Sequence, residues 1–192
     1  LGHSMSPMLH QRLMELSGTR GSYTLLEIAP GQLESALPQL KQLDGFNITI
    51  PHKRAILPFL YEWDDSAKIY GAVNTVLCQN GRLKGYNTDA FGFISALEHA
   101  NAPLKGSALV LGAGGAGRMM AIELALHDMR VCIAVRESST AKAQAVKEEI
   151  LSMRPRAQVE ILSLSSLNGK WDLLCNATPI GMYPRTGVSP VS

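Results

Sequence analysis

Ser107–Ala108–Leu109–Val110–Leu111–Gly112–Ala113–Gly114–Gly115–Ala116–Gly117 is the stretch around which the second half of the chain is organised. Five mostly apolar, β-prone residues lead into the pattern G-x-G-x-x-G, and the proline-free segment 118–127 predicts a helix behind it. Gly112 permits a tight turn, Gly114 lets the backbone approach a pyrophosphate, and Gly117 lets helix and strand pack closely. An ordinary strand-to-helix turn is the alternative, but the flanking strand and helix favour dinucleotide binding.

The segments around this motif alternate regularly between strand and helix patterns. Alternation of this kind predicts a parallel sheet with right-handed crossovers, which is the Rossmann-like architecture. The predicted strands are 107–111, 130–135, 157–162 and 171–176, and the predicted helices are 115–127 and 139–153.

The first half of the chain predicts an α/β unit of its own. The predicted helices begin at Ser6–Pro7, 30, 51, 65 and 90, and the helix that begins at 51 is predicted to run to about 63. The predicted strands are 22–28, 45–50, 72–78 and 82–86. Asn80–Gly81 is predicted to join the last two strands in a hairpin. We therefore expect an α/β fold with an N-terminal α/β substrate-binding domain, residues 1–88, and a Rossmann-like dinucleotide-binding domain, residues 89–192. The chain has no initiator methionine and stops in loop-like sequence, so both ends are expected to be truncated and the second domain incomplete.

Composition excludes several classes of protein. The chain has 192 residues, of which 46% are hydrophobic, and a net charge of +2 with no basic run for nucleic acid. Its apolar runs are too short to span a membrane, and no signal peptide is recognisable. Three widely spaced cysteines favour free thiols in a reducing cytoplasm. The five histidines lack metal-ligand spacing, so no metal site is expected.

Lys53 and Asp89 are the two ionisable residues at turn-like junctions in the first half. Lys53 begins a predicted helix, where the positive end of the helix dipole disfavours an ammonium group, and Asp89 closes Asn87–Thr88–Asp89. A catalytic pair is one interpretation. A solvated surface amine and a helix cap are the others, and spacing alone does not decide between them.

Six motifs, in order and in register over almost the whole chain, resemble the shikimate/quinate dehydrogenase family. These motifs are Gly2–His3–Ser4–Met5–Ser6–Pro7, Gly45–Phe46–Asn47–Ile48–Thr49–Ile50–Pro51–His52–Lys53, Gly71–Ala72–Val73–Asn74–Thr75, Asn87–Thr88–Asp89, Gly112–Ala113–Gly114–Gly115–Ala116–Gly117 and Asn176–Ala177–Thr178. The resemblance implies reversible reduction of 3-dehydroshikimate to shikimate with a dinucleotide, usually NADPH, in aromatic amino-acid biosynthesis. It also implies small-molecule partners and a monomer or homodimer.

The resemblance further implies roles for residues of the first half. Lys53 and Asp89 resemble the family's catalytic dyad, in which an ammonium beside a carboxylate donates a proton and orients the hydroxyl; both also belong to the substrate site. Ser4 and Ser6 resemble the serines that bind the substrate carboxylate, with helix capping as the alternative. Thr49 and Asn74 resemble ligands of the ring hydroxyls, with sheet packing and turn formation as the alternatives.

Cofactor residues are implied at three places in the second half. The glycine-rich residues are Gly112, Ala113, Gly114, Gly115, Ala116 and Gly117. Asn176 and Thr178 belong to the last motif. Arg136 and Glu137 follow the second Rossmann strand, where NADP-using members typically have Asn-Arg-Thr and a further Arg soon after.

Arg136 and Glu137 point to different cofactors. Arg136 can stack on adenine and pair with a 2′-phosphate, which favours NADP. Glu137 lies about 20 residues past the glycine motif, where an acidic residue usually binds the 2′-hydroxyl of NAD. Thr140 stands where a second Arg is expected, so NADP is favoured with NAD as an alternative. A solvated helix-entry residue is the other interpretation of Glu137.

Tyr86 leaves the substrate range open. Many shikimate-specific members have Asp before the Asn-Thr-Asp motif, and some broader shikimate/quinate members have Tyr. An NAD-preferring quinate/shikimate dehydrogenase is therefore the alternative function, and a non-catalytic shikimate-binding regulator is a lesser one.

Overall fold

A computed structural model describes residues 2, 4–183 and 186–191 and divides the chain into two compact units, Leu1–Tyr86 and Asn87–Ser192. No helix in the described part of the chain is long and apolar enough to cross a membrane. Each unit contains one four-stranded sheet.

The first unit is a small α/β layer built on one four-stranded sheet. Its helices are α1 (Ser6–Ser17), α2 (Leu33–Leu40), α3 (His52–Ala55) and α4 (Asp65–Tyr70), and its strands are β1 (Gly45–Asn47), β2 (Glu62–Trp63), β3 (Thr75–Gln79) and β4 (Arg82–Tyr86). The strand order is β1-β3-β4-β2, with β2 parallel to β4 and the other pairs antiparallel.

One face of this sheet forms the core of the unit. Val76 of β3 and Leu83 of β4 are almost fully buried, and they belong to a cluster with Ile56 and Val73. Successive side chains of a strand point to opposite faces, so the register places Asn47, Thr75 and Tyr86 in one row across β1, β3 and β4.

The structure confirms the predicted hairpin turn between β3 and β4 and the predicted start of α4. Asn80 and Gly81 have φ angles of 49° and 72°, so both central residues of the β3–β4 hairpin adopt the left-handed conformation that favours Asn-Gly. The side chain of Asp64 accepts a hydrogen bond of 3.0 Å from the backbone N–H of Ser66 and so caps α4, whose predicted start at residue 65 is confirmed.

Two predictions for the first unit are wrong. Residues 22–28 form no strand and pair with none of the described strands, because an apolar pattern forms a strand only where a neighbour completes the ladder. The helix predicted from 51 to 63 is only the single turn α3, followed by a 3-10 turn at Leu57–Phe59 and strand β2. Pro58, in that turn, cannot donate the backbone hydrogen bond that a longer helix requires.

The second unit has the predicted Rossmann-like order. Its helices are α5 (Asp89–His99), α6 (Gly115–Leu126) and α7 (Thr140–Met153), and its strands are β5 (Ser107–Leu111), β6 (Arg130–Val135), β7 (Val159–Ser163) and β8 (Leu173–Asn176). All neighbouring strands are parallel in the order β7-β6-β5-β8. Every residue of β5 is buried, as expected for a strand covered on both faces.

Asp172 ties the amino end of β5 to the segment before β8. Its Oδ2 accepts hydrogen bonds from the backbone N–H of Ser107 at 2.7 Å and from the Ser107 hydroxyl at 2.9 Å. These bonds hold the pKa of Asp172 below its ordinary value of 3.8, and the bond from the backbone N–H of Ser107 has the larger effect.

Replacing Asp172 with Asn is expected to lower the thermal unfolding midpoint at pH 7, because a neutral amide accepts these bonds more weakly than a carboxylate. The folded pKa is depressed, so the stabilisation is present above about pH 4 and is lost as the pH falls through the folded pKa. Midpoints of wild type and Asp172→Asn, measured from pH 7 to pH 3, should therefore converge in acid. Asp65→Asn is the control, since Asp65 is paired only at the exposed surface of α4. A wild-type advantage that persists unchanged at pH 3 would contradict this.

Candidate functional site

The glycine-rich turn lies at the carboxyl end of β5 and leads directly into α6. Gly112 has a φ of +100°, and a Cβ there would lie 3.3 Å from the carbonyl oxygen of Ala177. A Cβ on Gly117 would overlap the carbonyl oxygen of Gly112, so only glycine lets α6 pack this close to the turn. A Cβ on Gly114 would meet no atom within 4 Å. Two glycines of the motif are thus required by packing, and the third faces open space.

The first turn of α6 offers its N–H groups to this open space. Gly114 is the N-cap in an extended conformation, and its carbonyl accepts a 2.8 Å bond from the N–H of Arg118. Gly114, Gly115 and Ala116 are exposed, whereas Gly117 is buried. Backbone N–H groups and the positive end of a 12-residue helix suit a phosphate group. The chain therefore fits a dinucleotide pyrophosphate here.

Arg118 and Glu149 fix α6 against α7 by a half-buried, two-bond ion pair. The Arg118 Nε donates to Glu149 Oε2 at 2.7 Å, and its Nη2 donates to Oε1. The pair lies one residue past the glycine motif and holds the helix that presents the turn. Sequence reasoning missed it, because no local pattern links residues 31 positions apart.

Asn176 and Thr178 lie at the carboxyl end of β8, next to the glycine-rich turn. Asn176 Oδ1 accepts bonds from the N–H of Thr178 at 3.0 Å and from its hydroxyl at 2.7 Å. The N–H of Ala177 donates to the carbonyl of Leu111, and a Cβ on Gly112 would lie 3.3 Å from Thr178 Cγ2. Both side chains therefore shape the wall of the turn.

Arg136 and Glu137 follow β6 at the same edge of the sheet, and both are exposed. The N–H of Ser139 donates to the Arg136 carbonyl at 2.8 Å, which closes a 3-10 turn at Glu137–Ser139. Glu137, Thr140 and Ser163 line an open cavity of about 320 Å³ at the ends of β6 and β7. In this fold, the residues that follow the second strand contact the ribose of a dinucleotide, and here those residues are the cation Arg136 and the anion Glu137.

In the first unit, Ser4 and Ser6 flank the start of α1. The predicted hydroxyl cap at Ser6, with Pro7 first in the helix, is wrong by one residue, because α1 begins at Ser6 with Met5 as N-cap. The hydroxyl of Ser4 accepts a 3.3 Å bond from the N–H of Ser6, so Ser4 takes the capping contact.

Backbone hydrogen bonds hold the segment that carries Asn74 next to the segments that carry Thr49 and Lys53. The N–H of Ile48 donates to the Asn74 carbonyl at 2.7 Å, and the N–H of Val73 donates to the Lys53 carbonyl at 2.8 Å. Lys53 and Asn74 are half-buried, and Thr49 is exposed. The turn that carries Lys53 is thus held along the segment that carries Asn74.

Asp89 is the first residue of α5 in the second unit. Its N–H donates a 3.0 Å bond to Oδ1 of Asn87, which is buried with 5% of its surface exposed. Thr88 is the N-cap, but its side chain makes no capping bond. The side chain of Asn87 makes the capping contact, and Asp89, for which a helix cap is the alternative interpretation, is the first residue inside the helix. Asn87 belongs to one of the six sequence motifs, but the sequence alone does not assign it this function.

Cys132 and Cys175 are buried free thiols. Burial, reinforced by Glu160, raises the pKa of Cys132 to about 11, and burial alone raises that of Cys175 to about 11, so both thiols are protonated at neutral pH. Among the described residues, no three His, Cys, Asp or Glu side chains are grouped to hold a metal ion.

Comparison with known proteins connects both units to one group of enzymes. Residues 1–76 match the family model described as the shikimate dehydrogenase substrate binding domain. The NADP(+) shikimate dehydrogenase of Shouchella clausii strain KSM-K16 is 40% identical over 200 aligned positions, which cover 100% of this chain and 70% of that enzyme.

Solved structures agree in both sequence and fold. Shikimate 5-dehydrogenase of Thermus thermophilus, in complex with NADP(H) and shikimate, is 38% identical with a TM-score of 0.87, covering 100% of this chain and 69% of that one. Quinate dehydrogenase of Corynebacterium glutamicum, in complex with NAD, is 33% identical with a TM-score of 0.82, covering 97% of this chain and 70% of that one.

Proposed function

The chain belongs to the shikimate dehydrogenase family, and we propose that it catalyses the reversible NADPH-dependent reduction of 3-dehydroshikimate to shikimate in aromatic amino-acid biosynthesis. The observation that carries this proposal is the glycine-rich turn, in which Gly117 packs on Gly112 and Gly114 faces open space. That turn suits a dinucleotide, and it lies in a chain whose first 76 residues match a shikimate-binding domain.

The two halves of the chain are proposed to have separate binding roles. Residues 1–88 are proposed to bind the substrate and residues 89–192 to bind NADP. The family match to residues 1–76 supports the first assignment, and the parallel sheet with its glycine-rich turn supports the second.

Acid–base catalysis is proposed for Lys53 and Asp89. When bound, NADPH supplies the hydride that reduces the ring ketone. The ammonium Nζ of Lys53 donates the proton that the alkoxide oxygen requires, and accepts it back in the oxidation direction. The carboxylate of Asp89 orients the substrate hydroxyl that is formed or oxidised. Ordered backbone at both positions, from the Val73 bond to Lys53 and from the Asn87 bond to Asp89, supports roles that need fixed geometry.

The remaining proposed substrate ligands are neutral polar groups. Ser4 and Ser6 bind the carboxylate, and Thr49 and Asn74 bind ring hydroxyls. Hydroxyls and amides suit a polyhydroxylated ring because they both donate and accept hydrogen bonds. The Ser4 hydroxyl accepts from the N–H of Ser6 and still has its own proton to donate to a carboxylate, so capping and ligand binding are compatible there.

Residues Gly112 to Gly117 are proposed to hold the pyrophosphate, with Asn176 and Thr178 shaping the turn. The guanidinium of Arg136 pairs with the 2′-phosphate of NADP. Glu137 weakens that preference, because its carboxylate lies next in sequence and lines the adjoining cavity.

An NAD-preferring quinate/shikimate dehydrogenase is the second candidate function. Glu137 at the end of β6 is the observation that favours it, together with Tyr86 before the Asn-Thr-Asp motif. The similarity to a quinate dehydrogenase solved with NAD supports the same alternative.

We propose that the protein acts on small molecules only, as a monomer or a homodimer, in the cytoplasm. Cys78, Cys132 and Cys175 are free thiols in the structure, which supports a reducing compartment.

Initial rates of shikimate and quinate oxidation, each with NADP and with NAD, test the proposed function. The absorbance of the reduced nicotinamide follows each reaction, and the fastest pair is expected to be shikimate with NADP. Preference for NAD, or comparable quinate turnover, would favour the second candidate and assign Glu137 to the ribose. No turnover with any pair, together with shikimate binding detected by calorimetry, would favour the regulator.

A further inference from the structure

Only one face of α1 is covered by the rest of the first unit. The half-buried residues of the helix are Ser6, Pro7, His10 and Met14, which follow the spacing of a single helical face. No residue of α1, all of which lie in the described part of the chain, is fully buried, and its leucines are more than half exposed. The place of the helix, and of the serine at its start, therefore depends on few side chains.

His10 and Met14 of the covered face contact the segment that follows the helix. The rings of His10 and Tyr23 are stacked, with their centroids 4.0 Å apart and their planes inclined by 17°. A Cβ on Gly21 would lie 3.3 Å from the side chain of Met14, so the chain folds back onto the same face of α1 there. A stacked aromatic pair stabilises beyond the area that it buries. The stack with Tyr23 is therefore a specific contact that holds α1.

Tyr23 is itself tied to the sheet. Its hydroxyl donates to Asn47 Oδ1 of β1 at 3.2 Å. The Nδ2 atom of Asn47 donates to Thr75 Oγ1 of β3 at 3.2 Å and lies 3.5 Å from the backbone carbonyl of Asn74. A carbonyl oxygen only accepts, so the NH₂ group of Asn47 faces β3 and its Oδ1 faces the Tyr23 hydroxyl. One path of contacts thus leads from the sheet through Tyr23 to His10 of α1.

The first turn of α1 continues this path to the two serines of the proposed carboxylate site. His10 Nδ1 donates to the Ser6 carbonyl at 2.9 Å, because a carbonyl oxygen can only accept. The Ser4 hydroxyl accepts from the N–H of Ser6, so Ser4 is attached to the same turn. A displacement of His10 would therefore move both serines together.

We propose that Tyr23 is a positioning residue that sets, through His10, the place of Ser4 and Ser6 against the substrate carboxylate. This rests on the proposed function and deepens it, since it assigns the support of one part of the substrate site. Hydrogen bonds weaken steeply as their distance and angle depart from the optimum, so a shift of the turn weakens carboxylate binding. The carboxylate and the oxidised hydroxyl are on different ring carbons, so the loss should fall on substrate binding more than on turnover.

Tyr23→Leu tests this, because leucine keeps an apolar side chain and removes both the ring and the hydroxyl. The KM for shikimate is expected to rise by about 3- to 10-fold, as the loss of an aromatic pair implies. The KM for NADP should not change, and kcat should change less than the KM for shikimate. Tyr23→Phe keeps the stacked ring and is expected to lie closer to wild type. Tyr61→Leu is the matched control, since Tyr61 is an exposed tyrosine of the same unit that packs on Arg82, and it should leave all three constants unchanged.

Two combinations identify the route by which Tyr23 acts. Tyr23→Leu with His10→Leu should be no worse than His10→Leu alone, because residues that act through one contact are not additive. Tyr23→Leu should also leave kcat/KM for shikimate almost unchanged in a protein that already carries Ser4→Ala and Ser6→Ala, since the groups it positions are absent. Unfolding midpoints of all variants, measured without ligand, record stability separately from binding.

Several outcomes would overturn the assignment of Tyr23. A KM for shikimate unaffected by Tyr23→Leu would do so, and so would additive losses in either combination, which would show that Tyr23 acts independently of His10 or of the serines. Equal losses in kcat and in both KM values, with a lower unfolding midpoint, would show a general structural role instead. If wild type turns over no shikimate and calorimetry detects no shikimate binding, the proposed function fails and the assignment fails with it. If wild type turns over shikimate and Tyr23→Leu has the same KM, only the assignment fails.

Discussion

Replacing Lys53 with Met is expected to lower kcat for shikimate oxidation by about 100- to 10,000-fold, the usual contribution of a positioned acid–base group. Methionine keeps the length of the side chain and removes the ammonium group. The backbone at position 53 should remain in place, because its bond from the N–H of Val73 does not involve the side chain. Initial rates at saturating shikimate and NADP measure kcat, and calorimetry measures shikimate binding separately.

The distribution of the loss between kcat and binding decides the role of Lys53. A proton donor acts mainly in the transition state, so kcat should fall far more than shikimate affinity. Lys68→Met is the control, since Lys68 pairs with Asp65 at the surface of α4 and should keep wild-type rates. Wild-type kcat in Lys53→Met would rule out the acid–base role, and a loss confined to KM would leave Lys53 as a substrate ligand.

The second unit could be predicted largely from the sequence because its signals are local. A strand that is buried on both faces requires a continuous apolar run, and residues 108–111 and 131–135 supply it. The turn between β5 and α6 requires glycine at Gly112 and Gly117, where a Cβ would crowd or overlap the backbone. Each of these requirements is visible within a few residues of sequence.

The first unit was predicted less well, because the structure of its mispredicted segments depends on pairing with residues distant in sequence. Glu62 and Trp63 follow Pro58 and join the sheet as β2, and the N–H of Tyr61 before them donates to the Leu83 carbonyl at 2.9 Å. Residues 22–28 have the composition of a strand and no ladder partner among the described residues. Tertiary pairing decided both cases over local propensity.

The proposed site shows the same division. The motif residues Lys53 and Asn74 can be selected from sequence, but the contacts that order them cannot. Asn47 reaches Thr75 over 28 positions, and Arg118 reaches Glu149 over 31. No periodicity connects such pairs, so the groups that support a site are the part that sequence alone leaves unassigned.

Two alanine substitutions in the glycine-rich turn are expected to separate packing from cofactor binding. Gly117→Ala places a Cβ against the Gly112 carbonyl oxygen, and α6 must shift away from the turn to accept it. Overpacking of this kind typically costs about 1–3 kcal/mol of unfolding free energy. The affinity for NADP should fall as well, because the N–H groups of the first turn move with the helix.

Gly114→Ala is expected to weaken NADP binding without a comparable loss of stability. Its Cβ would meet no atom of the protein within 4 Å, so the unfolding free energy should change by no more than about 1 kcal/mol, the scale of a cap substitution. The same methyl group would occupy the space proposed for the pyrophosphate. Loss of one or two charge-assisted hydrogen bonds corresponds to a rise in the Kd for NADP of about 10- to 100-fold or more.

Chemical denaturation and NADP titration of both variants measure the two effects, with Gly92→Ala of α5 as the control. Gly92 also has open space around it, and alanine there should be neutral or slightly stabilising because it favours the helix. If Gly114→Ala binds NADP as tightly as wild type, the pyrophosphate does not lie over Gly114. If Gly117→Ala is as stable as wild type, the close approach of α6 to the turn is not required. Packing of α6 affects the stability of the unliganded protein, whereas phosphate binding affects only the complex with NADP. A loss of stability in Gly117→Ala alone, together with a loss of NADP affinity in both variants, would therefore assign the packing role to Gly117 and the phosphate-binding role to Gly114.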